Sequence, residues 1–363
     1  MNLLESVFAK LKRHPKRIVF PDGEDPRVIH ASQIFHDHGA GVPVLLGRRE
    51  IIERVALAEK ASLDHVAMIN PENASDLPLF CRRLEQLARY KKVDAEDARS
   101  LMVNPNYFAA MMLQNGQADA LVGGLSSAAG SLLRPLTQLV KPLPHSPFIS
   151  GCLILDLDRT EFGDDGILFL ADCGVIPDPD MEQLAAIAVQ TALVARQVFG
   201  KRPRVAMLSF STKGSATTPS SEKVAGAVTI ARQLADQLNA EIAVDGEMQA
   251  DVALIPAVAE RKMEPSLVAG RANVLIFPDL NSGNISVKLL QHIAEARVYG
   301  QIILGLSRPA AYLSRGATIE QISSVAALVG LQAIEYRKLY PEDGADPHGA
   351  HNPATPNEFS DLL

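Results

Sequence analysis

Three loops rich in glycine and hydroxyl side chains hold the residues of this sequence that are best suited to chemistry. Backbone N–H groups in loops of this composition can surround an anion. Each loop contains or precedes a basic residue, namely Arg134, Lys213 or Arg315. Arginine suits phosphate and carboxylate because its guanidinium donates two parallel hydrogen bonds. The pattern predicts a site for a phosphorylated or acidic small ligand. It does not indicate which reaction takes place there. The loops are GGLSSAAGS (123–131), SFSTKGSATTPSS (209–221) and GLSRPAAYLSRG (305–316).

Motifs typical of other chemistries are missing from the sequence. There is no GxxxxGK[ST] phosphate loop, no GxGxxG dinucleotide turn, no HExxH and no GxSxG. The aspartates between 156 and 165 lack the spacing of a calcium loop, and the nine histidines are scattered. We therefore expect no metal site. Cys173 lies at a predicted strand end, where we expect a free buried thiol with no catalytic role.

Each of the three loops follows a short apolar segment that predicts a β-strand. These segments alternate with helical patterns, which favours a mostly parallel sheet covered by helices. In open α/β sheets, ligands bind beyond the carboxyl ends of the strands, where these loops begin. Asp245, Gly246 and Glu247 also follow an apolar strand in this interpretation. The strands that we list are 18–20, 42–46, 65–69, 120–122, 151–157, 167–172, 205–208, 274–277 and 302–304.

Local signals add one hairpin and several helix starts. The apolar segments 151–157 and 167–172 flank the turn-rich RTEFGDDG, which is typical of an antiparallel hairpin. Asp25, Asp178 and Thr218 each precede a proline, a pattern that predicts an N-cap followed by proline at the first helical position. The first 17 residues are amphipathic and contain Glu5, which indicates a surface helix rather than a signal peptide.

Composition bounds the class of protein. Hydrophobic residues make up 47% and charged residues 21% of the chain, which excludes disorder of its body. The net charge of −7 and the absence of a long basic run argue against general nucleic-acid binding. Three widely spaced cysteines indicate a reducing compartment. Because no apolar run approaches the roughly 18 residues of a membrane helix, we predict a cytoplasmic protein with no membrane and no nucleic-acid partner.

The chain of 363 residues is long enough for two domains at roughly 150 residues each. We predict a first α/β domain from 1–148 and 304–340, and a second α/β domain from 149–303. From Pro341 onward, proline is frequent and apolar periodicity is lost. This composition predicts a mobile tail at 341–363.

Several motifs together resemble the phosphate acetyl/butyryl transferase family over roughly residues 16–338. The resemblance implies a two-domain α/β/α fold with mostly parallel sheets, similar to isocitrate and isopropylmalate dehydrogenases, with the active site in the interdomain cleft. It also implies a homodimer. The motifs are KRIVFPDGEDPRV (16–28), QADALVGG (117–124), LLRPLTQLVK (132–141), FLADCGVIPDPDMEQLAAIA (169–188), FSTKGSA (210–216), DGEMQADVAL (245–254), NVLIFPDLNSGN (273–284) and LSRG (313–316).

The resemblance implies a reaction, phosphate acetyl transfer. In it, an acetyl group moves reversibly between acetyl phosphate and coenzyme A by direct thiol attack. Coenzyme A and acetyl-CoA are then substrates, together with phosphate, and no cofactor is bound permanently. The catalytic residues that this implies are Ser314, Arg315, Arg134 and Glu320. The implied substrate-binding residues are Arg89, Ser126, Ser127, Ser211, Thr212, Lys213 and Ser215.

The sequence departs from the family pattern at three positions. The family typically has an aspartate, a candidate base, seven residues after the loop serine, where this chain has Gln321. An amide does not accept a proton usefully near neutral pH, and Glu320 is turned by about 100° on a helix. In GGLSSAAGS the family commonly has an aspartate near Gly130, and Ile176 stands where asparagine is frequent. These differences bear on rate and acyl specificity rather than on the fold.

Three alternatives remain open from the sequence. The acyl group could be longer, propionyl or butyryl. The chain could be a non-catalytic module that senses acyl-CoA, although such modules generally lack the Ser-Arg-Gly loop that is present at 314–316. The chain also starts at the family's own N-terminus, so we expect no upstream enzyme. A dehydrogenase of similar fold would need a nicotinamide site, for which we find no signal.

Overall fold

The computed structural model describes residues 3–87, 94–144 and 146–339. Its strands are β1 (Lys16–Phe20), β2 (Gly41–Leu46), β3 (Ala67–Ile69), β4 (Ala120–Gly123), β5 (Ser150–Asp156), β6 (Ile167–Ala171), β7 (Arg204–Leu208), β8 (Ala243–Met248), β9 (Val274–Ile276), β10 (Arg297–Leu304) and β11 (Ala310–Tyr312). Its helices are α1 (Leu3–Arg13), α2 (Pro26–Asp37), α3 (Arg49–Glu59), α4 (Leu77–Gln86), α5 (Ala95–Met102), α6 (Pro105–Gln114), α7 (Ala129–Leu139), α8 (Met181–Phe199), α9 (Pro219–Gln237), α10 (Ala250–Leu254), α11 (Pro256–Lys262), α12 (Leu280–Ile293) and α13 (Ile319–Leu339).

The contacts divide the chain into two units. The first unit comprises Met1–Lys141 and Leu306–Leu363, and the second comprises Pro142–Gly305. The sequence placed these boundaries at 148/149 and 303/304, and independent domains with those limits remain a prediction. Arg89 and the predicted tail at 341–363 lie outside the described residues.

The first unit is built on parallel strands in the order β3-β2-β1-β4-β11. Strands β2 and β4 are buried along their whole length, as is the end of β1, which explains their continuous apolar sequences. Helix α13 packs against β1, β4 and β11, and also against α1 and α2. The chain therefore passes from the 313–318 loop directly into a helix that is fixed against the sheet.

The second unit combines antiparallel and parallel strands in the order β10-β5-β6-β9-β7-β8. Strand β5 pairs antiparallel with both β6 and β10, which confirms the hairpin predicted from the sequence. The remaining neighbours are parallel. Helix α8 packs against α9 and against β6, β7 and β9, and most of its side chains are buried.

The mixed α/β fold with mostly parallel strands is thus confirmed, but two strands differ from the prediction. Strand β8 continues through Asp245, Gly246 and Glu247, which the sequence had placed after a strand. Strand β11 lies inside the segment that the sequence described as the single loop 305–316. Its presence means that Ser314 and Arg315 follow a strand of their own.

Two of the three predicted helix starts are confirmed. Asp25 caps α2 with Pro26 at the first helical position, and Thr218 caps α9 in a capping box with Ser221. The prediction for Asp178 was wrong, because Asp180 caps α8 and forms its capping box with Gln183. Asp178 instead forms an ion pair with Lys223. The predicted N-terminal surface helix is α1, which buries Val7 and Leu11. Among the described residues, no helix is both long and apolar enough to span a membrane.

Candidate active site

Two of the sequence-predicted loops leave the first unit's sheet from neighbouring strand ends. Strands β4 and β11 are parallel, with Val122 opposite Ala311 and Gly123 opposite Tyr312. The pairing continues one residue further, since the Leu313 N–H donates to the Gly123 carbonyl at 2.8 Å. The loops that follow, 124–128 and 313–318, therefore begin side by side at the carboxyl ends of two parallel strands.

Gly124 is required where the two loops meet. Its φ is +100°, and a Cβ atom there would lie 2.3 Å from Cδ2 of Tyr312. Any larger residue would displace the Tyr312 ring. Burial raises the pKa of Tyr312, and the positive charge of Arg315 opposes this shift. The Arg315 charge therefore lies close enough to act on the tyrosine at the base of the loop.

The proposed reactive side chains of this unit are open to solvent. Ser314, Arg315 and Glu320 are exposed, and so is Arg134, which lies on α7. Helix α7 packs against β11, the strand that leads to Ser314. Across the described part of the chain, neither Arg134 nor Arg315 forms an ion pair. Both guanidinium groups thus remain available for an anionic ligand.

The start of α7 adds further donors. Ala128 is its N-cap residue and makes no side-chain capping bond. Uncapped N–H groups at a helix start carry partial positive charge and attract anions. Gly130, in the first turn, has no heavy atom within 4 Å of where a Cβ would lie. A larger side chain would therefore fit here sterically. The first turn of α7 contains no acidic residue.

Buried Asp22 holds the 124–126 loop. Its carboxylate accepts hydrogen bonds from the N–H groups of Gly124 at 2.9 Å, Leu125 at 3.1 Å and Ser126 at 3.2 Å, and also from the Ser126 hydroxyl. Ser126, predicted to bind substrate, thus uses its hydroxyl within the protein. The Ser127 hydroxyl is buried and has no hydrogen-bond partner among the described residues. It is the serine of this pair with a free donor.

Arg27 holds the other loop. Its Nη1 donates to the carbonyls of Arg315 at 2.7 Å and Ala317 at 3.0 Å. Its Nε and Nη2 donate to Asp25, and Nη2 also reaches the Leu125 carbonyl at 3.5 Å. Asp22 and Arg27 were not predicted as site residues from the sequence. The signal was the motif PDGEDPR directly after β1, which was interpreted only as a strand end and a helix cap.

The two residues that bear on proton transfer lie at the start of α13. Gln321 forms a reciprocal capping pair with Thr318: the Thr318 N–H donates to the Gln321 side-chain oxygen at 3.0 Å, and the Gln321 N–H donates to the Thr318 hydroxyl at 3.2 Å. Gln321 therefore has a structural role. Glu320 is exposed in the first turn of the helix.

In the second unit, the 209–216 loop uses most of its predicted binding groups to hold itself together. The Ser211 hydroxyl is fully buried and donates to Glu247 at 3.0 Å. The Thr212 hydroxyl accepts from the Gln249 N–H at 3.1 Å, and the exposed Ser215 accepts from the Thr212 N–H at 3.0 Å. These serines and threonine therefore shape the loop, whereas Phe210 beside them is 60% exposed.

Lys213, the basic residue of this loop, is already paired. Its Nζ lies 2.6 Å from Asp245 Oδ1, and Arg232 Nη2 lies 3.0 Å from the same oxygen. Burial acts to raise the pKa of Asp245, but hydrogen bonds from Lys213 and Ser266 outweigh it and hold that pKa below its ordinary value. The charge of Lys213 is thereby largely neutralised within the protein.

Ile176, the third departure from the family pattern, belongs to a turn around Asp172. The N–H groups of Gly174, Val175 and Ile176 donate to the Asp172 carboxylate at 2.8 to 3.0 Å. Burial raises the pKa of Asp172 despite these bonds. Within the described ranges, no group of three or more His, Cys, Asp and Glu side chains is placed to hold a metal ion.

Comparison with known proteins identifies the family. Residues 2–329 match the family model described as "Phosphate acetyl/butaryl transferase". The phosphate acetyltransferase of Thermoanaerobacterium thermosaccharolyticum is 40% identical over 92% of this chain and all of its own length. That of Acetivibrio thermocellus is 38% identical over 92% of this chain and 98% of its own. The solved EutD phosphotransacetylase from Staphylococcus aureus aligns with a TM-score of 0.83 and 34% identity, covering 91% of this chain and 98% of its own.

These matches are long, mutually consistent and well above the identity at which only a fold is shared. The chain belongs to the phosphate acetyl/butyryl transferase family. The resemblance inferred from its motifs is thereby confirmed.

Proposed function

We propose that this protein is a phosphate acetyltransferase, an acyltransferase that moves acetyl reversibly between acetyl phosphate and coenzyme A. The observation that carries the proposal is the Ser314–Arg315 loop, which follows β11 and lies beside a glycine- and serine-rich loop. Its arginine has no ion-pair partner within the described part of the chain. Family membership and phosphate acetyltransferase relatives at 38 to 40% identity support the same activity.

The chemistry is acyl transfer in one displacement. The coenzyme A sulfur attacks the acetyl carbonyl carbon, and a tetrahedral species with an oxyanion forms. Its collapse breaks the bond between that carbon and the phosphate oxygen, which releases inorganic phosphate and leaves acetyl-CoA. Because a thiol has a pKa of about 8.5, it is mostly protonated at neutral pH, and its proton must go to a base.

The exposed groups of the first unit have the types that this step requires. Arg315 and Arg134 would bind the phosphoryl group and oppose the charge that it gains as it leaves. The uncapped N–H groups at the start of α7 would donate to its oxygens. We retain Ser127 as a substrate-binding residue because its buried hydroxyl has no hydrogen-bond partner among the described residues. Ser314 would orient the thiol or the oxyanion. Glu320, in the first turn of α13, is the candidate base that we propose, because the neighbouring Gln321 side chain caps the helix.

The second unit and Arg89 complete the proposed substrate contacts. We retain Arg89 as a substrate-binding residue on family grounds. In the 209–216 loop, Ser211 and Thr212 would act by shaping the backbone, because their hydroxyls have internal partners. We retain Lys213 and Ser215 as substrate-binding residues on family grounds. Both are exposed, but Lys213 is paired with Asp245 and the Ser215 hydroxyl accepts from the Thr212 N–H, so they would add little to catalysis.

Family membership also supports the assignment of partners and setting. Coenzyme A, acetyl-CoA, acetyl phosphate and phosphate would be substrates and products, with no permanently bound cofactor. We propose a cytoplasmic homodimer without nucleic-acid or membrane partners. Light scattering coupled to size exclusion would measure the subunit number directly.

The test is acyl-CoA formation by purified protein with coenzyme A and either acetyl phosphate or butyryl phosphate. Rapid turnover of acetyl phosphate supports the proposal and shows that Gln321 is tolerated. A preference for propionyl or butyryl phosphate would keep the mechanism and change the substrate. Absence of turnover with measurable acyl-CoA binding would instead favour a sensing module and overturn the proposal.

A further inference from the structure

The guanidinium of Arg27 is fully used by the protein itself. Arginine has five N–H donors. Here Nε donates to Asp25, Nη2 to Asp25 and the Leu125 carbonyl, and Nη1 to the carbonyls of Arg315 and Ala317. Every donor therefore has an acceptor, and none remains for a substrate.

The acceptors of Arg27 belong to three separate segments of the first unit. Asp25 is the N-cap of α2, Leu125 lies in the loop after β4, and Arg315 and Ala317 lie in the loop after β11. Residues 27 and 315 are 288 positions apart in the chain. One planar group thus fixes the spacing between a helix start and both loops proposed to bind acetyl phosphate.

A lysine could not make these contacts. Its ammonium has three donors at a single point, whereas the acceptors of Arg27 surround a planar fork. Asp25 also holds the guanidinium from behind, with Nη2 to Oδ2 at 2.7 Å, so the orientation of the fork toward the two loops is set. The arrangement is therefore specific to arginine rather than to positive charge.

We propose that Arg27 is a positioning residue for acyl transfer, acting through the backbone of the Ser314–Arg315 loop. The Arg27 side chain holds the carbonyl of Arg315 itself, so it sets where the Arg315 side chain begins. Misplacement of a catalytic group by about 1 Å can cost about 100-fold in rate. This inference rests on the proposed function, because it assigns Arg27 a role in that reaction.

The experiment measures kcat and KM of wild-type protein, Arg27→Ala, Arg315→Ala and the double variant in the acetyl-CoA assay. Arg27→Ala is expected to lower kcat about 100-fold, with KM for coenzyme A changed by less than about threefold. Because Arg27 acts through the loop that carries Arg315, the two losses should be far less than multiplicative, and the double variant should be slower than Arg315→Ala by less than about tenfold. Added guanidinium ion at low millimolar concentration should restore part of the Arg27→Ala activity.

Two further variants complete the design. Arg48→Ala is the matched control. Arg48 pairs with Glu24, three residues before Arg27, and forms no hydrogen bond to either loop among the described residues. The kcat of Arg48→Ala should stay within about twofold of wild type. Arg27→Lys covers the case in which Arg27→Ala does not fold, and its kcat should also fall more than about tenfold. Circular dichroism and urea unfolding of each variant separate loss of position from loss of fold.

The outcomes separate the two proposals. Inactive wild-type protein would overturn the proposed function and this inference together. With active wild type, multiplicative losses in the double variant would show a role independent of Arg315 and overturn the inference alone. Full activity of Arg27→Lys would also overturn it, since charge and not geometry would then suffice.

Discussion

The two units present basic residues of opposite electrostatic status. In the first unit, Arg315 and Arg134 are exposed and lack an ion-pair partner among the residues that the structure describes. In the second unit, Lys213 lies 2.6 Å from Asp245, which Arg232 also contacts. The loops that carry Arg315 and Lys213 both contain serine and follow parallel strands. They are therefore similar in composition, but only the basic residue of the second is paired with a carboxylate.

This difference teaches what a loop composition can and cannot encode. A dianionic acyl phosphate needs cations that the protein has not already neutralised, and only the first unit supplies them in the described loops. The first unit anchors its loops through Asp22 and Arg27, and Arg315 has no ion-pair partner among the described residues. The second unit anchors its loop with the loop's own hydroxyls and amine.

The largest effect on kcat should follow from removing the Arg315 side chain. We expect Arg315→Ala to lower kcat by about 100- to 1,000-fold, the range found when one donor to a developing oxyanion is lost. The fold should survive, because the Arg315 side chain is exposed and makes no ion pair with any described residue. Initial rates of acetyl-CoA formation measure the loss, with Arg49→Ala, an exposed arginine paired with Glu53, as control. Unchanged turnover of Arg315→Ala would contradict the assignment of this loop.

The next effect concerns the missing base. Gln321→Asp restores the carboxylate typical of the family, and we expect kcat to rise about tenfold if proton transfer limits the rate. The change removes part of the capping pair with Thr318 and should cost about 0.5–1 kcal/mol in stability. The pH dependence of kcat distinguishes the two contributions, with Gln321→Ala as the variant that loses the cap and gains no carboxylate. An unaltered rate would indicate that the thiol proton leaves by another route.

Most of the fold could be predicted because the buried strands have continuous apolar sequences, such as VPVLL in β2. Strand β8 was cut short because Asp245 and Glu247 look like loop residues. Their burial is stabilised by Lys213, Arg232 and Ser211, which are distant in the chain. Strand β11 was missed because it is three residues long and follows Pro309. The end of β8 and the whole of β11 therefore lack a local signal.

Only the exposed side chains of the candidate site could be predicted from the sequence. The LSRG motif and the arginine before Pro135 indicated Arg315 and Arg134 from the sequence alone. Asp22 and Arg27 act on backbone groups 102 and 288 positions away, and a backbone acceptor carries no residue-type signal. The internal use of the Ser211 hydroxyl was not predicted because its acceptor, the Glu247 carboxylate, lies 36 positions further on.

A smaller effect, on stability, should follow from removing the Lys213 side chain, which is paired with Asp245. We expect Lys213→Ala to lower the free energy of unfolding by about 1 kcal/mol, because Asp245 is buried, and to change kcat by less than about threefold. Lys262→Ala is the matched control: Lys262 is equally exposed and pairs with Asp251 at 2.8 Å, but Asp251 is far more exposed than Asp245. Urea unfolding should show a loss of about 0.3 kcal/mol or less for the control. A 100-fold loss of kcat in Lys213→Ala would remove the contrast between the units.

The smallest effect is a pH dependence of stability carried by the same pair. The pKa of Asp245 is lower in the folded protein than its ordinary value, so its ionised form stabilises the fold. This contribution is complete above the unfolded-state pKa of about 3.9 and is lost as pH falls through the lower folded-state pKa. Asp245→Asn has no such titration. The stability difference between wild type and Asp245→Asn should therefore have its full value at pH 7 and shrink steadily below about pH 4.

Urea unfolding of both proteins between pH 7 and pH 3 measures this difference. Taking the difference removes the opposing contribution of Asp172, whose raised pKa favours the folded state at low pH in both proteins. A difference that stays constant with pH would mean that Lys213 is not held by an ionised Asp245. Lys213 would then be as available to a ligand as Arg315, and the two loops would no longer differ in the property that assigns the acyl phosphate to the first unit.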